Sequence, residues 1–159
     1  MEKRKILAAV IQVMRDELSL LNRAAEDARS GATDSEVLSE SKYDTRGLES
    51  SYLARGHAMK FEALAEDVAL LENLEYRNFD PGEPVALGSL VEVQLGHEPM
   101  FFFLLPKGGG IEVELEVGGE EVTVVTPESP MGGKLLGLRV GDGFVLNKGQ
   151  PKAKIKSNQ

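Results

Sequence analysis

The chain contains no cysteine and no tryptophan, and histidine occurs only twice among its 159 residues. Without cysteine it forms no disulfide, no thiolate metal site and no cysteine nucleophile. The two histidines, His57 and His97, stand alone in the sequence, which argues against a zinc site built from several histidines. The absence of thiols fits the reducing environment of the cytoplasm, where we expect the protein to be located.

Basic residues are fewer than acidic ones, with 18 Lys and Arg against 26 Asp and Glu, which gives a net charge of −8. Such a surface repels nucleic-acid phosphates, so contact with DNA or RNA requires a local basic patch or a protein intermediary. No apolar run approaches the roughly 18 residues of a membrane-spanning helix. Charged residues interrupt the N-terminal apolar stretch at helical spacing, unlike a signal peptide. We therefore expect a mature protein that does not enter a membrane.

Residues 1–77 have the apolar spacing of helices. A first stripe alternates between steps of four and three residues, as in a heptad repeat, and consists of Leu7, Ile11, Met14, Leu18, Leu21, Ala25 and Ala28. Turn and capping residue types predict the end of this helix, namely Ser30, Gly31, Thr33 and Asp34.

A second apolar stripe runs from Ala54 through Phe61, Leu64 and Val68 to Leu71 and fades near Asn73. Two long helices with a short polar connection predict an antiparallel coiled-coil hairpin. Its acidic tip lies near residues 31–46. The alternative is a two-helix part of an ordinary bundle.

Residues 78–88 are rich in proline and glycine and predict a linker. After it, the apolar period becomes two, which is typical of strands. Residues 111–117 alternate apolar side chains with glutamates, and Gly118 with Gly119 predicts a hairpin turn. Residues 89–159 are therefore predicted to form a small, mostly antiparallel sheet domain with one short helix, which makes the fold class α+β. A basic end is expected to be solvated or to contact an acidic partner surface, with Lys148, Lys152, Lys154 and Lys156.

The short helix is predicted within residues 127–144, where five glycines and two prolines are concentrated. Ser129 and Pro130 suit an N-cap and the first helical position. Gly137 predicts the end of the helix, and Gly141 with Asp142 a turn into the next strand. We expect the apolar residues of this segment to cover one face of the sheet, namely Leu135, Leu136, Leu138 and Val140.

The segment VTVVTPESPMGGKLLGLRVGD closely resembles the C-terminal signature of the bacterial Gre transcript-cleavage factors (GreA and GreB). Gly133 stands where an arginine is usual. The resemblance extends over the whole chain in length and in its order of helical hairpin, linker and sheet domain. It implies an FKBP-like α+β domain that docks at the rim of the secondary channel of RNA polymerase. The matching positions are Ser129, Pro130, Met131, Gly132, Leu135, Leu136, Gly137, Gly141 and Asp142, and all of these except Gly137 are assigned to docking.

The resemblance also implies a chemistry for the hairpin tip. In Gre factors, acidic tip residues assist the polymerase in hydrolysing backtracked RNA. Hydrolysis with two metal ions needs a second divalent cation held near the first, and carboxylate oxygens are ligands that magnesium accepts. The tip would therefore act only inside the polymerase complex.

Glu40 is the acidic residue that transfers best, because the nearby Leu38, Ser39 and Tyr43 also match the family's tip. Val37 stands where the family has its aspartate. Candidate catalytic residues are thus Glu40, Glu36 and Asp34, with Glu36 and Glu40 as magnesium ligands only in complex with the polymerase. Glu36 and Glu40 share one helix face if the second helix starts near Glu36. They do not if the loop extends to Ser41.

Four further residues are assigned to support of the tip, namely Lys42, Tyr43, Asp44 and Arg46. Lys42 and Arg46 either balance the acidic charge or contact the polymerase channel or RNA phosphate. Tyr43 either stacks on a base or packs within the tip.

We therefore expect a transcription elongation factor that is not itself an enzyme. It binds RNA polymerase, meets the 3′ end of the nascent RNA indirectly, and is a monomer. It binds no cofactor alone and shares magnesium with the polymerase. Three alternatives remain: a non-catalytic secondary-channel regulator or inhibitor, an FKBP-like prolyl isomerase, and an unrelated coiled-coil adaptor.

Overall fold

The computed structural model describes the backbone of residues 2–38, 46–115 and 118–159. Side chains are described for these residues except residue 28 and those within 31–54. The chain divides into two compact units. The sheet unit contains residues 1–11 and 71–159, and the helical unit contains residues 12–70. The elements, in chain order, are α1 (Lys3–Leu38), α2 (Arg46–Asn73), β1 (Leu90–Leu95), β2 (Glu98–Leu104), β3 (Glu112–Glu114), β4 (Glu121–Val125), α3 (Pro130–Leu135), β5 (Gly143–Val145) and β6 (Lys152–Asn158).

The first helix is longer than the sequence predicts. α1 continues to Leu38, through the turn-forming residues between Ser30 and Asp34 that predicted its end. These residue types disfavour a helix by at most about 1 kcal/mol each relative to alanine, a weak preference that neighbouring turns override. α2 ends at Asn73, as predicted. None of the described helices is long and apolar enough to cross a membrane.

The buried stripe of α1 begins one residue earlier than the predicted heptad. Ile6 and Val10 are fully buried, whereas Leu7 and Ile11 are half-buried. The first turns of α1 belong to the sheet unit, so they face its core instead of following a continuous coiled-coil seam. Met14, further along the predicted stripe, is buried as expected.

The sheet has six strands in the order β3-β4-β2-β1-β6-β5. All neighbouring pairs are antiparallel except β2 and β4, which run parallel. Leu115 and Glu120 close the β3–β4 hairpin through a 2.9 Å backbone hydrogen bond, and Gly118 and Gly119 have positive φ angles between them. The α+β class and the hairpin turn at Gly118 and Gly119 are therefore confirmed.

The two faces of the sheet bury different sets of side chains, because successive residues of a strand point to opposite sides. On one face, called the α3 face, Leu135 packs on a buried cluster that includes Val91, Val93, Phe102, Leu104 and Ile155. The opposite face buries Leu90, Phe103, Val122 and Val124. There the Tyr76 ring lies 6.2 Å from that of Phe103.

Lys3 is a buried cation within the sheet unit. Its ammonium donates hydrogen bonds to the carbonyl oxygens of Arg77, at 2.6 Å, and Gln159, at 2.8 Å. It also lies 4.9 Å from the centroid of the Phe79 ring, within the range of a cation–π contact. Burial and the nearby Arg77 guanidinium lower the pKa of Lys3 to about 8.

Arg77 and Glu83 form a bidentate ion pair in the segment that precedes the sheet. The two guanidinium nitrogens donate to the two carboxylate oxygens at 2.8 and 2.9 Å, a geometry that strengthens an ion pair. The amide of Asp80 donates to the same carboxylate at 2.8 Å. The hydrogen bonds from Arg77 and from Asp80 lower the pKa of Glu83 to about 2.

Candidate docking site

Ser129 caps α3 and ties it to the end of β4. The hydroxyl accepts a hydrogen bond from the Gly132 amide at 3.1 Å and donates one to the Thr126 carbonyl at 2.7 Å. It also accepts from the Thr126 amide at 3.3 Å. Pro130 follows at the start of the helix, where its missing N–H leaves nothing unpaired. The predicted cap is confirmed, and the hydroxyl uses all of its hydrogen-bonding capacity.

Gly132 lies against the backbone of Thr126 so closely that no side chain fits. A β-carbon at position 132 would lie 1.8 Å from the Thr126 carbonyl oxygen and 2.6 Å from its carbonyl carbon. A β-carbon at Gly133 would meet only the Pro127 carbonyl oxygen, at 3.5 Å, which is an ordinary contact. The two adjacent glycines therefore differ: the first is required by the fold, and the second is not.

The apolar residues of this segment separate into buried and exposed ones. Leu135 is fully buried, but Leu136 is 46% exposed and Val140 43% exposed. The prediction that all of them cover the sheet is wrong for these two, which lie beyond the C-terminal end of α3 at Leu135. Leu138 is partly buried and packs on the core, as predicted.

Gly137 ends α3, as predicted, with a φ of 84°, a left-handed conformation that glycine adopts readily. Its amide donates to the Val85 carbonyl at 2.8 Å, and the Val85 amide donates to the Leu138 carbonyl at 2.7 Å. The end of α3 is thus joined to the segment that enters the sheet.

The predicted turn at Gly141 and Asp142 is also present. The Asp142 carboxylate accepts a hydrogen bond from the Arg139 amide at 2.8 Å. The Gly141 amide donates to the Ile155 carbonyl, and the Ile155 amide donates to the Asp142 carbonyl. A second tie comes from Lys134, whose ammonium donates to the Leu146 carbonyl at 2.5 Å.

All eight residues assigned to docking lie within the single segment that follows β4, from Ser129 to Asp142. Gly132 and Leu135 are buried, so they shape the segment and present no surface of their own. Pro130, Leu136, Gly141 and Asp142 are exposed, and Ser129 and Met131 are half-buried. Sequence reasoning did not identify Thr126, since it acts through its backbone, which any residue type supplies.

The tip residues divide between described backbone and positions outside it. Asp34 and Glu36 lie on the last turns of α1, and Arg46 begins α2; their side chains lie outside the described part. Glu40, Lys42, Tyr43 and Asp44 also lie outside the described residues. Among the side chains that are described, no group of three His, Asp or Glu residues is placed to hold a metal ion.

No protein-family profile and no curated protein sequence matches the chain. Among solved structures, GreA factor homolog 1 (Gfh1) of Thermus thermophilus is 23% identical, with 95% of both chains covered and a TM-score of 0.37. Gfh1 of Thermus aquaticus is 23% identical over 95% of this chain and 94% of its own, with a TM-score of 0.36. The transcription elongation factor GreA/GreB from Nitrosomonas europaea is 20% identical over 64% of this chain and 88% of its own, with a TM-score of 0.35.

Proposed function

We propose that this chain is a Gre-like transcription factor that binds RNA polymerase. One observation carries the proposal: the residues that match the Gre signature are those on which the geometry of the segment depends. Ser129 caps the helix, Gly132 permits its contact with β4, and Leu135 anchors it in the core. A signature in which several members have a structural task is stronger support than composition or fold class alone.

Docking uses the exposed part of this segment. Leu136 presents an apolar side chain that is 46% exposed, between the exposed Pro130 and Asp142. An exposed leucine of this kind suits a protein–protein contact. The partner surface is the rim of the secondary channel, and the helical unit is the part that enters the channel.

Leu136→Ser tests the docking surface. We expect it to weaken binding to RNA polymerase about tenfold, as for removal of a central apolar contact. The matched control is Val145→Ser, since Val145 is similarly exposed, at 41%, but lies on β5. Equal affinities of the two variants and the unmodified chain, measured by surface plasmon resonance, would contradict this surface.

Within the complex, we propose that acidic residues of the tip stimulate the polymerase's own hydrolysis of backtracked RNA. Asp34, Glu36 and Glu40 are the candidates, and Glu36 with Glu40 would supply oxygen ligands to a magnesium ion shared with the polymerase. The chain itself is not the enzyme. The other candidate function is a channel-binding regulator without cleavage activity. Val37, which stands where the Gre tip has its aspartate, favours this second candidate.

Transcript cleavage in a stalled, backtracked elongation complex distinguishes the two. Shortened RNA with a released 3′ fragment supports the cleavage function, and Glu36→Ala combined with Glu40→Ala should abolish it. Glu62→Ala with Glu66→Ala is the matched control, because these exposed acids have the same four-residue spacing on α2. Binding without cleavage supports the regulator. Absence of binding would overturn both.

A further inference from the structure

A cavity of about 300 Å³ opens on the opposite face of the sheet. It is lined by apolar and polar side chains from β1, β2 and β6 and from the turn before β4, among them Leu90, Glu92, Pro99, Phe101, Glu120 and Ser157. All of these belong to the sheet unit. The cavity is large enough for one side chain of a partner protein and small for a drug-sized ligand.

Two carboxylates in this lining, those of Glu92 and Glu120, form no ion pair with any described side chain. The only side-chain hydrogen bond to Glu92 among the described residues comes from the Ser157 hydroxyl, at 3.4 Å. The Glu120 carboxylate accepts none from the described part of the chain, and the cavity lining contains no lysine or arginine. Glu92 is half-buried and Glu120 is exposed, and two carboxylates at one cavity attract a cation.

Ser157 and Gln159 add polar groups to the lining, and the other walls are apolar. Leu90, Pro99 and the half-buried ring of Phe101 line the same cavity. A bare metal ion would gain nothing from these groups, since it requires several oxygen ligands. An arginine side chain matches both the apolar walls and the carboxylates. Its apolar stem packs on the walls, and its planar guanidinium stacks on an aromatic ring and donates to carboxylates.

We propose that this cavity binds an arginine side chain of a partner protein. The stem packs on Leu90 and Pro99, the guanidinium lies against Phe101, and its N–H groups donate to Glu92 and Glu120. Arginine fits better than lysine because a planar fork can reach two carboxylates at once. Nucleic acid does not fit, since its phosphates would be placed beside two carboxylates.

Lysines beside the cavity restrict what accompanies the arginine. The register of β1 and β6 shifts between Glu92 and Val93, so Glu92 lies opposite Ser157 while Lys156 has no partner residue. Lys156 and Lys154 are exposed, and no described ion pair neutralises either of them. They repel further cations and attract anions. The partner segment therefore carries acidic residues next to its arginine.

The arginine site is separate from the docking segment. α3 follows the C-terminal end of β4 and packs on the α3 face. The cavity uses Glu120, which precedes β4, and opens on the opposite face. Its occupation therefore neither requires nor excludes docking through Leu136, and the inference does not rest on the proposed function.

The test titrates the full chain, labelled with ¹⁵N, with N-acetyl-arginine amide and follows backbone amide shifts by NMR. The control ligand is N-acetyl-citrulline amide, which has the same shape without the charge. We expect saturable shifts around Glu92, Phe101 and Ser157 with the arginine derivative, and at least about tenfold weaker binding of the citrulline derivative, as charge-assisted hydrogen bonds imply. Equal binding of the two, or saturable shifts confined to other residues, would overturn the proposal.

Variants distinguish the cavity from general attraction to a protein of net charge −8. Glu92→Gln with Glu120→Gln keeps the shape and removes both charges, and it should weaken arginine binding about tenfold or more. Glu112→Gln with Glu114→Gln removes two exposed charges on β3 and should leave binding within about twofold. Equal loss in both double variants would show non-specific attraction and overturn the site.

The lysines are tested with two peptides, Ac-Glu-Gly-Arg-Gly-Glu-NH2 and Ac-Gln-Gly-Arg-Gly-Gln-NH2. The acidic peptide should bind several-fold more tightly at low salt. That difference should disappear in Lys154→Gln with Lys156→Gln. A difference that persists in this variant would show that the lysines do not select the flanking residues.

Discussion

The Thr126 carbonyl oxygen occupies the space that a side chain at position 132 would need. A β-carbon placed on Gly132 would lie 1.8 Å from this oxygen. Real β-carbons do not approach backbone atoms so closely, so any residue other than glycine at position 132 must displace α3 from the end of β4. Because Leu135 is carried by the same short helix, displacement of α3 also opens the core on the α3 face of the sheet.

The first prediction compares two substitutions at adjacent glycines. Gly132→Ala should lower the free energy of unfolding by at least about 2 kcal/mol, as for an overpacked core. Gly133→Ala should raise it by about 0.5 kcal/mol, because alanine loses less backbone entropy and has room there. Urea denaturation followed by circular dichroism measures both. If both variants change the free energy of unfolding by an equally small amount, α3 can move away from Thr126 at little cost, which would contradict the close contact at Gly132.

The second prediction concerns the hydroxyl of Ser129. Ser129→Ala removes the cap of α3 and the partner of the Thr126 amide, and it should cost about 1–3 kcal/mol of stability. Ser129→Thr keeps the hydroxyl and should retain most of it. If Ser129→Ala is as stable as the unmodified chain in urea denaturation, the hydrogen bonds of the hydroxyl do not stabilise α3.

The strands and the cap were predictable because their signals are local. Alternation around Val113 indicates which side chains are buried, and Ser129 with Pro130 indicates a helix start. The sequence was less informative on Leu136 and Val140, whose exposure depends on the path of the chain after α3 ends at Leu135. The predicted end of α1 was wrong because Gly31 and Asp34 disfavour a helix only weakly, and the neighbouring helical turns override this preference.

The cavity could not be predicted, because its lining residues meet only through strand pairing. Ser157 is far in sequence from Glu92 and Phe101, and the three share one face once β1 pairs with β2 and β6. The parallel neighbours β2 and β4 were also not foreseen, since an alternating pattern does not specify which strands pair. The shifted register at Lys156 has no signal in the sequence.

The third prediction concerns acid stability and Glu83. Hydrogen bonds from Arg77 and Asp80 lower its pKa from 4.5 to about 2, so the folded chain binds this proton less readily than the unfolded chain. The resulting stabilisation is complete above pH 4.5 and is lost as the pH falls towards 2. Glu83→Gln should therefore reduce the slope of stability against pH in this range. Glu75→Gln, at an exposed position in the same region, is the control, and an equal reduction there would contradict the assignment.

The last prediction concerns alkaline stability and Lys3. Burial and Arg77 lower its pKa from 10.5 to about 8, so between these values the unfolded chain binds more protons than the folded one. Stability therefore rises as the pH increases from about 8 to 10.5. Lys3→Met should abolish this rise. It also leaves the Arg77 carbonyl without its donor, whereas the Gln159 carbonyl keeps the Leu90 amide, and the lost hydrogen bond should cost about 1–3 kcal/mol near neutral pH. Lys148→Met, at an exposed position, should do neither. Urea denaturation at several pH values measures both effects, and a rise that persists in Lys3→Met would assign it to another group.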